Sequence, residues 1–169
     1  MSSYKFLPVL VALLVLSACG FRPLYGRDNG DAILEFSRIK VEPIPDRIGQ
    51  ILHNNLLTAL NPKGLAGKPI YVLNTNLTHG SASLAVRKST FATRANLSVK
   101  ATFWLTRVQD GKVLYSGQSD ITVSYNILDS EFGTIAAQKN ARSRALRELS
   151  HGIRTQLGVY FSRFKAQGN

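Results

Sequence analysis

From Phe91 to Leu105 the sequence alternates almost without a break. Phe91, Thr93, Ala95, Leu97, Val99, Ala101, Phe103 and Leu105 take turns with Ala92, Arg94, Asn96, Ser98, Lys100, Thr102 and Trp104. Successive side chains of a strand point to opposite faces, so this pattern is a strand with one side buried and one side wet. Asp110-Gly111 follows, a pair suited to a tight turn. Val113, Tyr115, Gly117, Ser119, Ile121, Val123 and Tyr125 then make the returning strand. A hairpin this long, apolar on one face, needs something to cover that face.

Two helices supply the cover. Asp46 can cap a helix in which Ile48, Ile51, Leu52, Leu56, Ala59 and Leu60 share one side, until Asn61-Pro62 and Gly64 stop it. From Asp129 or Ser130 the apolar period becomes 3.6, and Phe132, Ile135, Leu146, Leu149, Ile153, Leu157, Tyr160 and Phe164 fall in one stripe. Gly152 and Gly158 are points where this long helix can bend or fray. Phe36 to Ile44 reads as a first strand closed by Pro43 and Pro45, and Tyr71 to about His79 as a second. The order is β-α-β-β-β-α. It predicts an α+β fold with two helices packed on one face of a mixed four-stranded sheet, its first β-α-β unit a parallel crossover. Residues 35–169 form a single domain on this reading, with no internal repeat.

The beginning of the chain is an address. Lys5 precedes an 11-residue apolar stretch from Phe6 to Leu16. That is short of the roughly 20 residues a transmembrane helix needs, and fits a secretory signal over residues 1–18. Leu16-Ser17-Ala18-Cys19 resembles the lipobox of bacterial lipoproteins. The resemblance implies that Cys19 is lipidated and becomes the first residue of the mature chain. Cys19 is the single cysteine, so no intrachain disulfide can form. Gly20, not Asp, follows it, which in the lipoprotein class implies delivery to the outer membrane. Residues 19–34 carry Gly20, Pro23, Gly26 and Gly30, the composition of an extended tether.

No catalytic constellation emerges. Ser37-x-x-Lys40 and Ser162-x-x-Lys165 match an acyl-transfer spacing, but the first falls on a strand, where residues three apart face opposite ways. His53, His79 and His151 lack partners at metal-ligand spacing, and His53 reads as a solvated flank residue. An enzyme is not expected, nor any cofactor or metal.

Charge is the remaining signal. Lys and Arg number 21 against 10 acidic residues; removing Lys5 with the signal leaves 20 against 10, a net of +10. Such an excess points to an anionic partner. Export of the chain excludes nucleic acid. Arg87 and Lys88 lie between the second and third strands, and Arg94 and Lys100 project from the polar face of the third, where Trp104 also sits. Lys139 and Arg142 continue the apolar stripe of the last helix, so its first turns can line a site for phosphate groups.

Cys19-Gly20-Phe21-Arg22-Pro23-Leu24-Tyr25-Gly26 resembles the opening of the LPS-assembly lipoprotein LptE family, in its alphaproteobacterial form. Ser124-Tyr125-Asn126 and Asp129-Ser130-Glu131-Phe132 at the head of a basic helix strengthen the likeness. The resemblance implies a lipoprotein anchored in the outer membrane on its periplasmic side. It would be the plug and assembly partner of the barrel LptD and would bind lipopolysaccharide. Arg87 and Lys88, then Arg94, Lys100, Lys139 and Arg142, are the candidate ligand residues. The alternative is a structural envelope lipoprotein that holds anionic lipid or peptidoglycan.

Overall fold

The computed structural model describes residues 34–64, 67–84 and 94–167. The expected signal, most of the tether, and Phe91 and Thr93 of the alternating segment lie outside them. Along the chain come β1 (Ile39–Val41), α1 (Asp46–Leu60), β2 (Tyr71–Leu84), β3 (Arg94–Arg107), β4 (Val113–Asn126) and α2 (Glu131–Gln167). The sheet is mixed, in the order β1-β2-β3-β4, with β1 parallel to β2 and the other pairs antiparallel. This is the α+β arrangement expected, with both helices on one face.

The alternation of β3 does what its period demands. Ala95, Leu97, Val99, Ala101, Phe103 and Leu105 are all buried, while Arg94, Ser98, Lys100, Thr102 and Trp104 are exposed. β2 pairs with β3 without interruption from Tyr71↔Arg107 to Leu84↔Arg94. It therefore runs past His79, where its own sequence becomes Gly-Ser-Ala-Ser and loses its pattern: the partner strand, not propensity, carries it on. At the hairpin, Gly111 has φ 66, and Asp110 accepts from Lys112 N–H at 3.2 Å.

β1 is much shorter than the expected Phe36–Ile44. Residues 34–36 are helical, held by Ser37 Oγ–H to Leu34 O at 2.7 Å and Arg38 N–H to Glu35 O at 3.1 Å. At the other end Glu42 N–H still reaches Leu73 O at 3.0 Å, after which Pro43 and Pro45 have no N–H to offer the ladder. Asp46 does not cap α1. It is the first helical residue, at φ 67, and the preceding Pro45 supplies no side-chain cap. At its far end α1 is tied down by Asn61, whose Nδ2 donates to Ile39 O at 2.8 Å.

α2 is one uninterrupted helix, without a break at Gly152 or Gly158. Gly152 instead permits close packing: a Cβ there would lie 2.8 Å from Ser119 Oγ on β4. Its buried residues are Ala141, Ala145, Leu146, Leu149, Ser150, Ile153, Leu157 and Phe161. The expected stripe holds in its middle and fails at its ends, because Phe132 is 87% exposed, Ile135 54% and Phe164 55%.

Lengths account for much of this. The 37 residues of α2 extend about 55 Å, whereas the 15 of α1 extend about 22 Å. The 14-residue strands run about 46 Å. One helix thus spans the sheet and the other covers half of it. On β2, Leu73 is fully buried, whereas His79, Ser81 and Ser83 share its side of the strand and are exposed. Among the described residues the core runs from Phe36 to Phe161, within the compact unit of residues 32–169.

Candidate functional site

Where α1 begins, beside the first turns of α2, the two helices enclose a groove of about 330 Å³. Arg47 and Ile51, four apart on α1, form one wall. Ile135, Gln138, Lys139, Arg142 and Ser143 form the other; their spacing is one stripe of α2. Three cations and no carboxylate line it. Arg47 and Lys139 are exposed, Ile51 and Arg142 half-buried. The Arg142 Nε–H is buried and has no acceptor within the described residues. Leaving such a donor unpaired costs about 1–3 kcal/mol, which an anionic ligand oxygen would offset. Cations beside isoleucine side chains suit an amphiphile that joins phosphate to hydrocarbon.

The structure divides the six candidate cations. Arg87 and Lys88 lie outside the described residues. Lys139 and Arg142 meet in the groove. Arg94 and Lys100 stand on the opposite, helix-free face of the sheet, where Lys100 is flanked in register by Thr78 on β2 and Asp120 on β4. These last two pairs cannot serve one small ligand. Trp104, 37% exposed, shares the outer face with Lys100 and lies between Asn74 and Ser116.

No family model and no curated protein matches the chain. Solved structures do. A candidate lipoprotein from Caulobacter crescentus CB15 superposes with a TM-score of 0.65 at 21% identity, over 79% of this chain and 98% of that one. A minor lipoprotein from Acinetobacter baumannii gives 0.58 at 18% identity, over 73% and 92%. Lipoprotein B from Nitrosomonas europaea gives 0.55 at 15%, over 73% and 82%. The fold is shared with lipoproteins.

Two features of the site escape the sequence. Nothing in the sequence marks Arg47, and only the packing of α1 against α2 brings it to Lys139 and Arg142. His53 is not simply solvated: its Nδ1–H donates to Glu42 O at 3.1 Å and ties α1 to the segment after β1. Nothing in the spacing of Glu42 and His53 signals that bond.

Proposed function

We propose that this chain is an outer-membrane lipoprotein of the LptE type, acylated at Cys19. It binds lipopolysaccharide and acts, without catalysis, as plug and assembly partner of an LptD-type barrel. The observation that carries the ligand reading is the groove, where Arg47, Lys139 and Arg142 surround an apolar wall. Phosphates of a glycolipid would meet the cations while adjoining hydrocarbon meets Ile51 and Ile135. The lipobox-like Leu16-Ser17-Ala18-Cys19 and a fold shared with lipoproteins support the anchor. The plug role is supported by the family-like opening string and by an outer sheet face rich in Asn, Ser and Thr, chemistry that suits the polar lumen of a barrel.

Lipopolysaccharide binding by residues 32–169 tests the ligand. Lys139→Glu with Arg142→Glu should weaken it about tenfold or more, and added salt should weaken the native complex too. Unchanged binding would remove the groove from the reading; Arg87→Asp with Lys88→Asp is then the companion variant. Purifying the full chain from membranes tests the partner, since an outer-membrane barrel should accompany it.

A further inference from the structure

Among the described residues, seven of the eleven large apolar side chains left exposed gather at one pole, the end of the sheet where β2 starts and β3 ends. Ile70 and Val108 touch through Val108 N–H to Ile70 O at 2.9 Å, and Val113 pairs with Thr106 across the hairpin. Ile70 is 39% exposed, Val108 53% and Val113 53%. The last turns of α2 arrive at the same place. Tyr160 lies 5.3 Å from Tyr115 and 6.0 Å from Phe164, ring to ring. Val159 and Phe164, 44% and 55% exposed, line with Arg163 a cleft of about 430 Å³ against Tyr115. Trp104, near the end of β3, and Leu34, 58% exposed, complete the set.

Cations accompany these residues. Lys63, Lys68, Lys112 and Arg163 are exposed and form no ion pair within the described residues, and the nearby Asp110 is engaged by Arg107 at 3.3 Å. Valines, a Phe and a Trp among Lys and Arg are the side chains that settle at a bilayer boundary, apolar tips in the acyl region and cations at the headgroups. The chain also enters here. Leu34 begins the described residues at this pole, 15 positions after Cys19. Fully extended, that link reaches at most about 50 Å, no more than the domain's own length.

We infer that this pole is a membrane-contact face, seated on an anionic bilayer surface by the hairpin tip, the end of α2 and Trp104. It deepens the membrane-anchored reading above, on which it rests. The acyl chains on Cys19 would hold the protein at the bilayer, and this face would set which end meets it. The cleft beside Phe164 and Arg163 would take part of one lipid.

The domain of residues 32–169, which has no Cys19, is mixed with phosphatidylcholine vesicles with and without phosphatidylglycerol. Binding is followed by sedimentation and by the emission of Trp104, the chain's single tryptophan. The domain should bind the anionic vesicles, with a blue shift. Val108→Asp with Val113→Asp should weaken binding at least about tenfold, and Lys112→Glu with Arg163→Glu should abolish the preference for phosphatidylglycerol. Leu128→Asp with Phe132→Asp, at the other pole and outside the groove, should leave binding unchanged. No association of the native domain, or equal loss from variants at both poles, would overturn the inference. Loss of acylation at Cys19 in the full chain would instead sink the anchor and leave the vesicle result standing.

Discussion

Two stretches of α2 share one helix and one apolar period, yet they live in different surroundings. Leu146, Leu149, Ile153 and Leu157 are wholly buried, whereas Phe132 and Ile135, in the same expected stripe, are 87% and 54% exposed. Periodicity reports which side of a helix is apolar. It does not report whether another element is there to meet it. Here the start of α1 meets the first turns of α2 only across the groove, so Ile135, with Lys139 and Arg142, becomes one wall of that groove instead of core, and Phe132 is left outside it.

The contrast can be broken most forcefully by truncation. Leu149→Ala should cost about 2–5 kcal/mol, and Ile135→Ala less than about 0.5 kcal/mol, measured as urea unfolding midpoints. Comparable losses at both positions would mean that the first turns are covered after all. The two glycines come next. Gly152→Ala places a Cβ 2.8 Å from Ser119 Oγ, a hydroxyl that can turn aside, so crowding and the gain in helix propensity should offset to within about 1 kcal/mol. Gly133→Ala meets only the flexible, half-exposed Leu128 side chain, so helix propensity should win and stabilise by about 0.5–1 kcal/mol.

A smaller effect separates function from stability within the groove. Arg142→Met keeps the length of the stem and removes the unpaired Nε–H. Thermal unfolding should show no loss and up to about 1 kcal/mol of gain, while lipopolysaccharide binding falls. A clear loss of stability would make Arg142 a structural residue. The smallest effect belongs to the far end of α2. Burial, then the Glu35 charge, pushes the Tyr71 hydroxyl above its ordinary value of 10.0, and burial does the same to Tyr160. The folded state then holds its phenol protons longer than the unfolded chain. Stability should be unaffected below pH 10 and decline as pH rises from there through the raised values. Tyr71→Phe should flatten that decline in unfolding midpoints taken against pH.

The hairpin was legible because its burial is written into a period of two that only one backbone geometry satisfies. Both helices were legible as elements for the corresponding reason. Their ends were less so. Asp46 looks like a cap, but the turn after Pro43 and Pro45 places it inside the helix at φ 67. Phe36 looks like strand, but its ring meets that of Phe161 edge-to-face at 6.0 Å, a contact with a residue 125 positions later. The site was half legible: Lys139 and Arg142 stand out as cations interrupting an apolar stripe, whereas Arg47 has no such signature.

By itself the sequence determined the order of elements, which face of each is apolar and the excess of positive charge, since all three follow from local periodicity and composition. Only the tertiary structure decided which apolar residues stay uncovered and which cations face one another. Those outcomes depend on relative lengths and on contacts between residues far apart in the chain, where a 15-residue helix must lie beside a 37-residue one.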